Sequence, residues 1–175
     1  MHRRVGGGLG QSPRGMNLEI MSKARTSVPP AVECQARRLH HVGFVVDSID
    51  SVAERFAKSL GAEWDGKITF DPLQGVKVSF IWGSDPAATS IELVEPAATD
   101  SPVSRFLERG GGLHHLCYEV ENLEEELNYS RSVGGVVVRQ PLPAVAFGGR
   151  RIAWVITRDK LAVEFLETGL ESPRQ

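Results

Sequence analysis

The chain contains itself twice. Leu39-His-His-Val-Gly-Phe-Val-Val-Asp-Ser-Ile and Leu113-His-His-Leu-Cys-Tyr-Glu-Val-Glu-Asn-Leu match without a gap at an offset of 74, and the register persists to Gly61 and Gly135. A second pair of blocks closes the halves: Ile91-Glu-Leu-Val-Glu and Val163-Glu-Phe-Leu-Glu match at an offset of 72. Two matching blocks in the same order, at nearly equal offsets, mark an internal repeat. Whatever one half folds into, the other must fold into as well.

Each half reads the same way. The His-His segment alternates and is rich in β-branched and aromatic residues, which predicts a strand. Ser48 or Asn122 then offers an N-cap to a helix. Ile49, Val52, Ala53 and Phe56 lie at helical spacing in the first helix, and Leu123, Leu127 and Ser130 in the second. Gly61 and Gly134 or Gly135 can end these helices in a left-handed cap. Three more strands are expected in each half, near 62–65, 76–82 and 90–95, and near 136–139, 151–156 and 162–167. The expected fold class is therefore α+β, two βαβββ modules in tandem, over residues 39–98 and 113–168. A linker at 99–112 joins them, in which Ser101-Pro-Val-Ser-Arg-Phe-Leu-Glu-Arg predicts a short helix with Pro in its first turn. Residues 169–175 form a C-terminal tail.

Length and charge bound the possibilities. A chain of 175 residues holds two such modules and is too short for an α/β barrel. No apolar run spans a membrane. Only Cys34 and Cys117 occur, so no disulfide framework is expected. Residues 1–38 carry seven Arg and Lys against two Glu, a charge of +5; with -2 for the whole chain, the remainder is -7. That balance excludes a dedicated nucleic-acid binder. The tail is rich in Gly, Ser, Pro and Arg and reads as disordered. It is also compatible with a transit peptide, with a nucleic-acid or membrane arm, or with an over-long start ahead of Met21, of which we favour the last or a plain tail. The expected location is cytoplasmic, or an organelle matrix if the tail is a transit peptide.

Strand parity singles out four side chains. Successive residues of a strand point to opposite faces. His41 and His115 occupy equivalent positions in the two halves. Glu92 and Glu164 each lie between large apolar neighbours and face the other way from them. A carboxylate so placed needs a water-filled or cation-occupied space. Pseudo-symmetry would bring His41, Glu92, His115 and Glu164 to one central cleft. Two imidazoles and two carboxylates suit Co²⁺, Mn²⁺, Ni²⁺, Fe²⁺ or Zn²⁺ and leave positions open for substrate. A single His-His pair would read as ordinary backbone-bonding residues; its recurrence in both halves turns the reading to a metal site. His40 and His114 have the opposite parity, which places them as supporting or surface groups. Cys117 and the three tryptophans, Trp64, Trp82 and Trp154, read as packing residues.

At these residues the sequence resembles the vicinal oxygen chelate (glyoxalase-like) superfamily, and within it the methylmalonyl-CoA epimerases. The supporting stretches are Gln74-Gly-Val-Lys-Val-Ser-Phe, Ile91-Glu-Leu-Val-Glu-Pro, Asp100-Ser-Pro-Val-Ser-Arg-Phe-Leu, Gly112-Leu-His-His-Leu and Phe147-Gly-Gly-Arg-Arg-Ile. The resemblance implies an open, cup-shaped mixed sheet around a divalent metal held by His41, Glu92, His115 and Glu164. It implies a metal-dependent epimerase of a methylmalonyl-CoA-like acyl thioester, working by α-proton abstraction through a metal-stabilised enolate. It also implies an acyl-CoA substrate and a homodimer. Glu164 is the expected catalytic carboxylate.

Two departures stand out. Some epimerases carry a Glu base three residues after the glycine of the Gln-Gly motif, where this chain has Val78. Asp71 and Gln74 are the nearby polar candidates, although Asp71-Pro72 is also an ordinary turn sequence. The His-Pro-Lys run that usually precedes the last ligand is replaced by Ile156-Thr-Arg-Asp-Lys-Leu-Ala, shorter by about two residues, so the acyl group or the CoA requirement can differ. Arg150 and Arg151 are candidates to meet an anionic substrate. The competing functions are another enzyme of the same superfamily, such as a glyoxalase I-type isomerase or a dioxygenase, and a metal-free small-molecule-binding protein.

Overall fold

The computed structural model describes residues 37–85 and 88–169. The readings attached to the tail before residue 37 and to residues 170–175 lie outside the described residues. The first module contains β1 (Arg38–Val45), α1 (Ile49–Leu60), β2 (Glu63–Trp64), β3 (Thr69–Asp71), β4 (Val76–Trp82) and β5 (Ser90–Pro96). A short helix, α2 (Ser104–Glu108), leads to β6 (Gly112–Val120), α3 (Leu123–Ser132), β7 (Val136–Pro143), β8 (Arg151–Ile156) and β9 (Ala162–Glu167).

The helices begin where the caps predict. The Ser48 and Asn122 side chains accept from the backbone N–H groups of Ser51 and Glu125, satisfying donors that the first turn cannot. Gly61 ends α1 at φ 62, a conformation that a β-carbon would strain. α1 buries Ile49, Ala53 and Ala57 against Ile81 and Leu93. α3 buries Leu123 and Leu127 against Ala153, Val155, Val163 and Phe165. The helix-covered face of the sheet is thus closed by apolar packing. Alternation sends Glu92 and Glu164 to the other face.

The nine strands form one open sheet in the order β2-β4-β5-β1-β6-β9-β8-β7, with β3 also paired to β4. The two halves mirror each other. β1 runs parallel to β5, and β5 antiparallel to β4. β6 runs parallel to β9, and β9 antiparallel to β8. The halves join where β1 meets β6 antiparallel.

Two features depart from simple alternation. The outer strand of the first half is split into β2 and β3, because Asp65-Gly66 forms a turn in which the Asp65 carboxylate accepts from Lys67 N–H. The equivalent strand of the second half is irregular too, with register shifts against β8 on both sides of Arg139, but it is not split, and β7 runs on to Pro143 rather than stopping near Arg139. The second feature lies at the seam. Leu39 faces Tyr118 and His41 faces Cys117, which leaves His40 as an extra residue; Gly43 faces His115 and Phe44 faces Leu113, which leaves His114 as another. These are two β-bulges at equivalent places in the repeat. Among the described residues no helix is long and apolar enough to cross a membrane.

Candidate metal centre

His41, Glu92, His115 and Glu164 come together on the face away from the helices. Each offers one ligand-type atom, and all four atoms lie within 4.8 Å of one another. All four residues are buried, none more than 5% exposed. The strands explain the meeting: Gly43 pairs with Glu92 on one side and His115 on the other, while Cys117 pairs with Glu164 and His41. Each histidine therefore leans across the seam over its partner strand. Gly43 makes this possible, since a β-carbon there would lie 1.9 Å from His115 Cε1.

The donor set does not balance by itself. His41 Nε2 stands 3.1 Å from His115 Nε2, 3.1 Å from Glu164 Oε2 and 3.4 Å from Glu92 Oε2. His115 Nε2 stands 3.4 Å from Glu92 Oε2. One ring nitrogen carries at most one hydrogen, so it cannot serve three acceptors. Glu164 Oε2 is left buried without an aligned donor. Burial opposes charge on His41, but Glu92 and Glu164 outweigh it and raise its pKa to about 10. Burial likewise opposes the Glu92 carboxylate, and His41 and His115 nonetheless hold it well below the usual carboxylate range. A divalent cation would satisfy all four atoms at once, and this N₂O₂ set fits the first-row transition ions.

His40 and His114 take the supporting role, one of the two that their parity left open. His40 Nδ1 lies 2.9 Å from His41 Nδ1, and His114 Nδ1 lies 3.0 Å from His115 Nδ1. With each Nε2 turned to the centre as an acceptor, each Nδ1 of His41 and His115 must carry the proton and donate to the preceding histidine. Burial, and then the neighbouring histidine, lowers the pKa of both His40 and His114 to about 4, which keeps them neutral and able to accept. Alternation alone left these two residues as supporting or surface groups; their bonds to His41 and His115, at the two bulges, make them supporting ones.

Aromatic walls complete the site. Phe80 and Trp154 lie directly across from Glu92 and Glu164 in the sheet. They meet His41 and His115 edge to face, at centroid distances of 5.7 and 4.7 Å. Phe147, from the β7–β8 connection, stacks on His41 at 5.7 Å. Trp154 is thus part of the site as well as of the packing. Cys117 is fully buried, and burial and then Glu164 raise its pKa, so it stays a thiol.

The cluster opens into a cavity of about 470 Å³. Val78 is on its wall. Asp71 and Gln74 line it too, but differently. The Asp71 carboxylate accepts from the N–H groups of Leu73, Gln74 and Val145, a saturated turn that also ties the two modules together. Gln74 Nε2 is buried with no partner. Arg150 and Arg151 correct the sequence reading: neither lines the cavity. Arg150 pairs with Glu119, and Arg151 forks between Glu124 and Glu167. The cation on the cavity wall is Arg139, whose Nη2 donates to Leu73 O at 2.9 Å. That residue was not legible from its own strand, because its partner sits in the other module.

Comparison with known proteins agrees with this architecture. The sequence model of the Glyoxalase/Bleomycin resistance protein/Dioxygenase superfamily matches residues 40–154. The chain is 33% identical over 124 residues to the ethylmalonyl-CoA/methylmalonyl-CoA epimerase of Cereibacter sphaeroides, covering 70% of this chain and 90% of that protein. The methylmalonyl-CoA epimerase of Mycobacterium tuberculosis superposes with a TM-score of 0.65 at 25% identity, over 75% of this chain and 87% of that one. A variant of the Streptomyces coelicolor methylmalonyl-CoA epimerase in complex with 2-nitronate-propionyl-CoA superposes with a TM-score of 0.64 at 25% identity, over 78% of this chain and 98% of that one.

Proposed function

Because the chain belongs to the Glyoxalase/Bleomycin resistance protein/Dioxygenase superfamily, we propose that its four-residue His/Glu centre serves a metal-dependent epimerase acting on a methylmalonyl-CoA-like acyl thioester. The observation that carries this reading is the cluster itself, four buried donor groups at the floor of an open cup. It stands beside 33% identity to a protein named as an ethylmalonyl-CoA/methylmalonyl-CoA epimerase. His41, Glu92, His115 and Glu164 would hold the ion. When bound, a divalent ion supplies Lewis acidity to the thioester and carboxylate oxygens, acidifying the α-carbon between them.

The chain's own residues do the rest. His40 and His114 fix the tautomers of His41 and His115. Phe80, Phe147 and Trp154 exclude water, which strengthens electrostatic interactions in the cup. Glu164 is our candidate for the carboxylate that takes the α-proton. Asp71 is assigned no proton transfer, since three backbone N–H groups hold its oxygens. Gln74 is an amide and enters as a donor. An acyl-CoA is too highly charged to cross a membrane unaided, so the enzyme belongs where acyl-CoA is made, in the cytoplasm or an organelle matrix. We assign it a homodimer, since the exposed Val136 and Val138 on the edge strand β7 are the kind of surface that folded proteins cover.

The test is proton–deuterium exchange at the α-carbon of methylmalonyl-CoA in D₂O with added Co²⁺. Exchange well above that of Co²⁺ alone is expected, and its absence would overturn the epimerase. His115→Ala is expected to abolish divalent metal binding, measured as metal per chain after dialysis. Unchanged stoichiometry in that variant would reject the ligand set.

A further inference from the structure

We propose that Gln74 and Arg139 form a second binding site in the cup, one that accepts an anionic oxygen group of the substrate apart from the oxygens held at the His/Glu centre. The inference rests on the epimerase reading for the identity of the substrate but not for the existence of the site. Gln74 is 8% exposed, and its Nε2 has no hydrogen-bond partner. A buried unpaired donor destabilises the fold that contains it and requires an explanation. The explanation lies in its position. Its own N–H is fixed by the Asp71 carboxylate, and its side chain lines the cavity.

Arg139 comes to the same place from the other module. Its guanidinium donates to the carbonyl of Leu73, the residue before Gln74, and both side chains line the same cavity. Of the described residues lining the cavity, Arg139 is the sole arginine or lysine. The carboxylates on that wall are already engaged. Asp71 is turned to three backbone donors, and Glu92 and Glu164 belong to the centre. One of the five guanidinium N–H groups is used on Leu73, and an arginine offers its remaining donors in the planar fork that suits a carboxylate or phosphate. A neutral donor and a fixed cation on one wall thus face the substrate with anion-accepting chemistry.

The anion has two sources, the acyl carboxylate through the oxygen that the centre leaves free and the CoA phosphates, and the experiment separates them. Exchange kinetics with Co²⁺, and calorimetric binding to metal-free protein, are measured with methylmalonyl-CoA and with methylmalonyl-pantetheine, which lacks the phosphates. Arg139→Gln is expected to raise KM and Kd roughly tenfold while kcat changes little. A rise for the CoA thioester alone identifies the phosphates; a rise for both identifies the carboxylate. Gln74→Leu is expected to weaken binding while raising the Tm of ligand-free protein, because it removes the unpaired amide. A merely structural glutamine would lower Tm and leave Kd alone. Unchanged KM and Kd in both variants overturn the site. A wild-type protein that binds the thioester without exchanging its α-proton rejects the epimerase, and the site then stands on the change in Kd alone.

Discussion

The two modules share one strand pairing and differ in what surrounds it. Phe80 and Trp154, equivalent across the repeat, both wall a histidine. At the seam the match breaks: Gly43 in the first module lies under His115, and Cys117 in the second lies beside His41. On the helices it breaks again. Val52 in α1 packs on the first core, whereas its counterpart Glu126 in α3 is fully buried and grips Arg37 with both oxygens at 2.7 and 2.9 Å. Val45 is core, and its counterpart Glu119 pairs with Arg38 and Arg150. The groups aimed at the centre are doubled, while the groups behind them have diverged into an apolar half and an ion-paired half. The centre thus constrains both halves in the same way, and helix packing constrains each only against its own strands.

The comparison breaks first at Gly43. Gly43→Ala should push the His115 ring from its place and weaken cobalt binding by at least about tenfold, the scale of losses from misoriented ligands. Cys117→Ala, the equivalent change, should keep metal stoichiometry and lower stability by only about 1 kcal/mol. Equal metal binding in the two variants, by equilibrium dialysis, would show that the close approach at Gly43 does not matter.

The helices give the next largest effect. Arg37→Met leaves the Glu126 carboxylate buried without its partner and should cost about 3 kcal/mol of unfolding free energy in urea. Making Glu126→Val as well should recover most of that loss, giving α3 the apolar contact that α1 already has. A double variant no more stable than the single one would mean that the ion pair itself holds the helix down.

The smallest effect is the acid response of Glu119. Burial opposes its charge, but Arg150, then His40 and Arg38, hold its pKa below the ordinary value. The folded-state pKa is lower than the unfolded one, so this stabilisation is present above the unfolded value, near pH 4 to 5, and is lost as pH falls through the folded one. Glu119→Gln should therefore flatten the stability profile on the acid side and leave the slope above pH 6 unchanged. A Val45→Ala variant should lower stability equally at all pH values.

Much of this was legible in the residues. β4, β8 and β9 begin and end where their composition predicts, and the repeat placed His41, Glu92, His115 and Glu164 on one face. Three things were not legible. A bulge adds one residue to one strand and is invisible in that strand's own alternation, so the sequence left open whether His40 and His114 support the centre or lie on the surface. Arg150 and Arg151 carry the same charge as Arg139, and only pairing across the fold, to Glu119, Glu124 and Glu167 or to Leu73 O, decides which of them faces the cavity. Trp154 alternates as any packed residue does, and its part in the site depends on the histidine that leans over from the next strand.

The twin bulges bear on how this chain can change length. Removing His40 or His114 would shorten no loop; it would close the bulge and restore regular pairing, with His41 still opposite Cys117 and His115 still opposite Gly43. What would go is the acceptor for the Nδ1 hydrogen of the histidine that follows. A residue lost elsewhere in β1 or β6 has no extra residue to absorb it, and the strand beyond the cut would turn to the opposite face. Insertions and deletions that preserve the centre should accumulate outside the β1–β6 seam.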